Sequence, residues 1–175
     1  MSMLPPPFIL TLKLDQPTFD RVDQLRQQHF PPKRNLVPAH VTLFHALPGD
    51  QQTAIERTLR DVAARTSTIE LTFPRLRFLG KGVAIDVHSP ALIRVRQQLA
   101  SAWAAWLGTQ DQQRYHPHIT IQNKTTPDQA RHLYNALSAT WQPFAARGEG
   151  LLLWRYLDGP WELVESFPFT GDRSI

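Results

Sequence analysis

The sequence predicts an α+β fold built as a duplicated, two-lobed unit, with antiparallel sheets and flanking helices around a central groove. Three observations lead to this prediction. Short β-branched and aromatic runs alternate with amphipathic helical segments along the 175 residues. The tetrapeptide HVTL at 40–43 returns as HITI at 118–121, with the same order of predicted elements around both copies. The chain closes on strand-like segments joined by a tight turn at 158–160.

The first half of the chain predicts strand, helix, loop, strand, helix and strand in that order. Residues 8–14 form an apolar strand, and Pro17 then opens a helix with its apolar residues on one face. Three prolines within 30–39 predict a loop, and the β-rich run at 40–44 follows it. After a second amphipathic helix the chain is predicted to be extended over 69–79.

The second half repeats this order. Strands are predicted at 83–87, 118–122, 144–146, 149–156 and 161–169, and helices open at Pro90 and Pro127. We therefore expect a single domain spanning 1–175, with internal repeats at roughly 8–79 and 82–169.

Composition restricts the chemistry. The absence of cysteine excludes disulfides, thiol nucleophiles and thiolate metal sites. A formal net charge of +4 favours an anionic partner, although the bases are too scattered for a duplex-gripping tail. Neither a Gly-rich phosphate loop nor a G-x-S-x-G elbow is present. The N-terminal segment resembles neither a signal peptide nor a membrane span, so a cytoplasmic location and no membrane partner are expected.

The repeated tetrapeptide carries the candidate chemistry. Side chains alternate along a strand, so His40 and Thr42 share one face, as do His118 and Thr120. Displacement at phosphorus is in line and needs an acid and a base on opposite sides, which two imidazoles with pKa values near neutrality provide. The threonine hydroxyls can donate to the non-bridging oxygens. Two copies in equivalent places of a repeat indicate phosphodiester chemistry far more strongly than one.

Other residues are weaker candidates for binding substrate. Phe44 and Gln122 share the parity of the motif residues and could line the groove, Phe44 by stacking a base. Rim packing is the alternative for Phe44. Four further residues are candidates for contacting the phosphate or the base: Tyr115, Lys124, Arg77 and Tyr156.

Three other features have structural alternatives. His45 has the opposite parity to His40 and is expected to point away from the groove. His116 and His118 form a His-x-His pair that could bind a metal, but Pro117 lies between them and a third ligand is missing nearby. Neither a metal nor another cofactor is therefore expected. The tryptophans at 103 and 106 follow helical spacing and are expected in the core.

The paired motifs, about 80 positions apart, resemble those of the 2H phosphoesterase superfamily, close to its 2′-5′ RNA ligase and cyclic phosphodiesterase branch. The segments FLG at 78–80, VAIDV at 83–87 and WELV at 161–164 also resemble that branch. The resemblance implies a metal-free reaction on 2′,3′-cyclic phosphates or 2′-5′ linkages of nucleotides or RNA. It also implies that His118 is the base that activates water and His40 the acid for the leaving ribose oxygen.

Two rival functions remain at this point. One is the reverse chemistry at the same site, which is the joining of RNA ends through a 2′-5′ bond. The other is a non-catalytic RNA-binding module of the same fold. The second rival has no need of titratable groups on both sides of a phosphorus atom, so two intact His-x-Thr motifs argue against it.

Overall fold

The computed structural model describes residues 3–172, and this part of the chain contains eight strands and five α-helices. The strands are β1 (Phe8–Leu14), β2 (Val41–Leu47), β3 (Ile69–Phe73), β4 (Leu76–Phe78), β5 (Val83–Asp86), β6 (His118–Gln122), β7 (Phe144–Tyr156) and β8 (Trp161–Pro168). The helices are α1 (Gln16–His29), α2 (Gln52–Arg65), α3 (Pro90–Ala102), the short α4 (Thr109–Gln112) and α5 (Pro127–Thr140).

Two antiparallel sheets organise the molecule. The larger has the strand order β2-β1-β7-β3, with β8 also paired to β7, and the smaller has the order β4-β5-β6. The α+β class with antiparallel sheets and flanking helices is therefore confirmed. The larger sheet contains strands from both predicted repeats, and the repeat boundaries at 8–79 and 82–169 stay a prediction.

Three of the long helices begin with the same local device. Asp15, Ser89 and Thr126 each accept a hydrogen bond from the backbone N–H three residues ahead, and each helix has a proline in its first turn. The side-chain oxygen satisfies a backbone donor that would otherwise lack a partner, and proline needs no such partner. This local chemistry explains why the helix starts could be located from the sequence.

The predicted extended segment 69–79 is two strands, because Pro74 lies between β3 and β4 and cannot donate to a sheet. Conversely, the strands predicted at 144–146 and 149–156 are one continuous strand, β7. Its glycines disfavour a strand locally, but a Cβ on Gly150 would lie 2.6 Å from the backbone oxygen of Phe167 on β8. Close strand approach therefore requires the glycine there.

A β-bulge interrupts β2 inside the first motif. Thr42 pairs with Thr11 of β1, whereas the next pair joins Phe44 to Leu10, so Leu43 is an extra residue on β2. An extra residue reverses the alternation of side chains beyond it. Phe44 and His45 consequently face the opposite way from the simple period-two expectation, and a second register shift before Leu47 restores it.

The second motif carries a bulge at the equivalent place. Thr120 on β6 pairs with Ala84, and Gln122 pairs with Val83, which leaves Ile121 as the extra residue. Both strands thus present the His and Thr of their motif before the bulge and change face directly after it.

The core lies between the sheets and the helices. Trp103 is buried among the core side chains, as predicted, and Trp106 is half-buried against them. Within residues 3–172, no helix combines the length and the apolar character needed to cross a lipid bilayer.

Candidate active site

The two motif histidines are held in the same way. Nδ1 of His40 lies 2.7 Å from the carbonyl oxygen of Pro38, and Nδ1 of His118 lies 2.8 Å from that of His116. A carbonyl oxygen can only accept, so each Nδ1 carries the proton and donates it. Each Nε2 is then left for chemistry in the groove.

Both histidines line one groove with a volume of about 410 Å³. Thr42 and Thr120 line it as well, so the structure brings the four motif residues together. The volume lies within the range of small-ligand sites, roughly 300–1,000 Å³. The groove can therefore hold a phosphorylated nucleoside-sized group between two imidazoles and two hydroxyls.

Side chains from elsewhere in the chain hold the backbone of both motifs. The Tyr115 hydroxyl donates to the carbonyl oxygen of Thr42 at 2.8 Å, and Nη1 of Arg26 donates to that of Thr120 at 2.9 Å. In addition, Nε of Arg96 donates to the carbonyl oxygen of the bulged Leu43 at 2.8 Å. Both β2 and β6 are edge strands of their sheets, and these bonds give three of their carbonyl groups a donor.

The two buried arginines have equivalent roles. Arg26 on α1 bonds the second motif, whereas Arg96 on α3 bonds the first, so each half of the chain supports the motif of the other half. Both are nearly inaccessible to solvent. The sequence analysis missed this role. A usable signal was present, because each arginine lies four residues after a core residue of its helix, Val22 or Leu92.

The surroundings keep both catalytic candidates neutral. Loss of solvent around the ring lowers the pKa of His40 to about 4; the Pro38 carbonyl opposes this shift, and the charge of Arg26 adds to it. Loss of solvent also lowers the pKa of His118, helped by the charge of Arg77 and opposed by the His116 carbonyl. Both pKa values therefore lie below that of a free imidazole.

Comparison with known proteins identifies the family. The family model of the 2′-5′ RNA ligase superfamily matches residues 14–160. The chain belongs to the 2′-5′ RNA ligase superfamily. The resemblance to 2H phosphoesterases inferred from the two motifs is thereby confirmed.

Solved structures share the fold at low sequence identity. TT0787 of Thermus thermophilus has a TM-score of 0.68 and 14% identity, over 95% of this chain and 100% of that one. LigT of E. coli, crystallised with 3′-AMP, has a TM-score of 0.65 and 18% identity, over 95% of this chain and 99% of that one. No curated protein sequence matches the chain.

Among the weaker candidates, Arg77 and Tyr115 line the groove. Arg77 forms an ion pair with Asp86 at 2.7 Å, and the Tyr115 hydroxyl is used by the Thr42 carbonyl. Lys124 and Tyr156 are exposed and lie outside the residues that line the groove. The expectation that these two contact phosphate or base gains no support from their positions.

The predicted positions of Phe44 and Gln122 were wrong. Phe44 is 0% exposed and packs against Trp103 with a ring separation of 5.1 Å, so it cannot stack a base. Gln122 is also buried. The bulges at Leu43 and Ile121 are the cause, because they turn the next side chain into the protein.

The same bulge corrects the expectation for His45, which lines the groove rather than pointing away from it. Trp161 is a second groove residue that the sequence analysis did not assign; its ring lies 4.6 Å from that of His40. Its contact depends on the pairing of β8 with β7, which local sequence does not specify.

The alternative of a metal site at His116 and His118 was also compared with the structure. Within residues 3–172, no group of three or more His, Cys, Asp or Glu side chains is arranged to hold a metal ion. His116 lines the groove, and its carbonyl oxygen orients His118.

Proposed function

We propose that this superfamily member is a metal-independent phosphoesterase that hydrolyses 2′,3′-cyclic phosphates or 2′-5′ linkages of nucleotides or RNA. The observation that carries the proposal is the matched pair of imidazoles, His40 and His118, each with Nδ1 bonded to a carbonyl and Nε2 free, in one groove. A pair of this kind suits proton transfer on both sides of a phosphoryl group. We place the reaction in the cytoplasm, without metal or other cofactor.

The reaction moves two protons. One imidazole accepts a proton from water as the water oxygen bonds to phosphorus, and the other donates a proton to the ribose oxygen as its bond to phosphorus breaks. We assign the first role to His118 and the second to His40, following the superfamily resemblance. After turnover the imidazole that accepted a proton is protonated and the imidazole that donated one is neutral. Proton exchange with solvent restores the starting state.

Hydrogen-bond donors and a positive charge lie near the place proposed for the phosphoryl oxygens. The hydroxyls of Thr42 and Thr120 lie beside the histidines in the groove, and Arg77 adds a positive charge to one wall. Hydrogen bonds from fixed donors stabilise the transition state more than the ground state when negative charge grows on those oxygens. The bound phosphate in turn favours protonation of the neighbouring imidazoles, which supplies the acid that the free site lacks.

An aromatic surface adjoins the phosphate position. Trp161 contacts His40 at 4.6 Å between ring centres, and Trp154 lies 6.0 Å beyond Trp161. Both rings are half-buried, and Trp161 lines the groove, where an accessible aromatic face suits the stacking of a base. That LigT was crystallised with 3′-AMP, with phosphate, with NADP⁺ and with ATP supports a nucleotide ligand for this fold.

A substrate panel tests the proposal. Purified protein in excess chelator is incubated with nucleoside 2′,3′-cyclic phosphates, 2′-5′ oligoadenylates and RNA ends that carry a cyclic phosphate, and both cleavage and joining are followed. We expect cleavage that chelator does not change. Loss of activity with recovery on adding zinc or manganese would reject the metal-free reaction, and joining without cleavage would assign the reverse reaction instead.

A further inference from the structure

His45 is a third histidine of the groove, and the proposed two-histidine reaction does not use it. It follows the bulge at Leu43, which turns its side chain towards the groove. Its side chain is 44% exposed, so a ligand can reach it. Burial is the main cause of the lowered pKa of His40 and of His118, and a smaller electrostatic effect of His45 acts in the same direction, so His45 lies within electrostatic reach of both.

The carboxylate of Asp111 orients this imidazole. Oδ1 of Asp111 lies 3.1 Å from Nδ1 of His45 and accepts from the His45 backbone N–H at 2.8 Å. The other oxygen, Oδ2, accepts from the backbone N–H of Ala46 at 3.0 Å. The Asp111 side chain is only 2% exposed. Burial acts to raise the pKa of this carboxyl, but the hydrogen bonds outweigh it and lower the pKa, so the carboxylate stays ionised.

The pair is built into the protein and is not a chance surface contact. Arg96 donates from Nε to the carbonyl oxygen of Leu43 and from Nη2 to that of Asp111, at 2.8 Å and 2.7 Å. A single buried side chain therefore ties the bulged strand to α4. The guanidinium also lies 4.0 Å from the ring centre of Phe44, which holds it in place.

The bonding partner distinguishes His45 from the catalytic pair. His40 and His118 donate from Nδ1 to neutral carbonyl oxygens, whereas His45 faces a carboxylate. A carboxylate on one side and a phosphate on the other give both N–H groups of an imidazolium an acceptor. With Nδ1 directed at Asp111, Nε2 of a protonated His45 can donate to an anion in the groove.

A second basic side chain lines the same groove. Arg114 follows Asp111 by three residues and lines the groove. Arg77, the other partly exposed arginine of the groove, is engaged by Asp86 at 2.7 Å. Within residues 3–172, no carboxylate lies within ion-pair distance of Arg114. Its charge is therefore available to a ligand.

We propose that His45, oriented by Asp111, and Arg114 form an anion subsite beside the reacting phosphoryl group, which takes a second phosphate of the substrate. The inference rests on the proposed function for the reacting phosphate. The substrate class is then a nucleotide or oligonucleotide that carries another phosphate next to the bond to be cleaved, and not a nucleoside cyclic phosphate alone.

Calorimetric binding tests this subsite without turnover. Adenosine 3′-monophosphate is compared with adenosine 3′,5′-bisphosphate, and adenosine 2′-monophosphate with the 2′,5′-bisphosphate. We expect at least one bisphosphate to bind the wild-type protein about tenfold or more tightly than its monophosphate, the worth of one charge-assisted hydrogen bond. His45→Gln and Arg114→Ala should bring this ratio close to one. Asp111→Asn should lower it as well, because it leaves the imidazole without its charged partner.

Matched variants control for the general loss of a base. His132→Ala and Arg94→Ala each remove the same residue type from an exposed position on a helix away from the groove, and both should keep the wild-type ratio. The thermal transition of every variant is recorded, and Arg114→Ala is the variant least coupled to folding, since its side chain is exposed.

The kinetic arm separates the two proposals. The kcat/KM value of adenosine 2′,3′-cyclic phosphate is compared with that of its 5′-phosphorylated form. The wild-type protein should favour the 5′-phosphorylated substrate, and His45→Gln should reduce this preference. Equal binding of monophosphates and bisphosphates by the wild-type protein, with both cyclic substrates hydrolysed equally well, would overturn the subsite and leave the phosphoesterase standing. If neither substrate were hydrolysed, and 2′-5′ oligoadenylates and RNA ends with a cyclic phosphate were also left intact, the proposed function itself would be rejected.

Discussion

The same four-residue motif lies at the start of β2 and of β6, and a comparison of the two strands separates what the motifs share from what each strand adds. Both present His and Thr before a bulge, at Leu43 and Ile121, and both orient the imidazole through a carbonyl two residues upstream. A buried arginine from the opposite half bonds a motif carbonyl in each. The features shared by the two strands are those that position a proton donor and a proton acceptor.

The strands differ immediately after the bulge. On β2 the chain continues with His45, held by Asp111 and directed to the groove, whereas the equivalent place after β6 is Asn123, which does not line it. The histidines also have different neighbours: Trp161 lies against His40, and Arg77 acts on His118. Under the proposed function, the features that the two strands share act at the phosphorus, and the features in which they differ contact the rest of the substrate.

The largest expected effect comes from removing either half of the symmetric pair. His40→Ala and His118→Ala should each lower kcat roughly 10²–10⁴-fold, the usual contribution of a positioned acid or base. The double variant should be scarcely worse than either single one, because the two act as a unit. Steady-state kinetics give kcat for the three variants, and circular dichroism shows whether each is folded. Full activity in His118→Ala would contradict the two-histidine mechanism.

The pH dependence should show the shared electrostatics of the pair. The active form carries one proton on the two imidazoles, and both pKa values are lowered in the free protein, that of His40 to about 4. The kcat/KM value should therefore peak below pH 6.5 and fall about tenfold per unit on its alkaline side. Bound phosphate raises both pKa values, so the kcat profile should peak at higher pH. A kcat/KM maximum above pH 7 would contradict this account.

A smaller loss is expected from the hydroxyls. Thr42→Val and Thr120→Val keep the shape of the side chain and remove one donor each, which should cost about 1–3 kcal/mol of transition-state stabilisation. The comparison of the two strands predicts losses of similar size. Thr72→Val serves as the control, since Thr72 is an exposed strand threonine outside the groove. If only one of the two variants lost activity, the phosphoryl oxygens would accept a hydrogen bond from the threonine of one strand only.

Sequence alone was sufficient for the part of the site that depends on strand parity. His40 and Thr42, like His118 and Thr120, precede the bulges, so the period of two placed them correctly in one groove. The helix starts were also predictable, because capping residues and prolines act within a few positions of one another.

Everything beyond the bulges needed tertiary information. Phe44 and His45 exchange their expected sides because Leu43 is bonded by Arg96 and the backbone of 45–46 by Asp111, both more than 50 residues away in the chain. A hydrogen bond between residues so far apart in the chain cannot be predicted from a local sequence pattern. The contact of Trp161 with His40 has the same character, since it follows from strand pairing at the end of the chain.

The smallest expected effect tests whether the two motif carbonyls are held independently. Tyr115→Phe removes the donor to the Thr42 carbonyl at 2.8 Å and leaves the bond from Arg26 to Thr120 untouched. The ring keeps its place near Arg96, so about 1 kcal/mol of unfolding free energy should be lost, the usual net contribution of one hydrogen bond. Because the bond fixes the strand that carries His40, kcat should fall a few-fold, roughly in line with that energy. Tyr134→Phe is the matched control, on α5 and outside the groove. Denaturant unfolding together with kcat measures both effects. If Tyr115→Phe lost as much activity as His40→Ala, Tyr115 would have to contact the substrate itself, and the division between motif residues and their supports would fail.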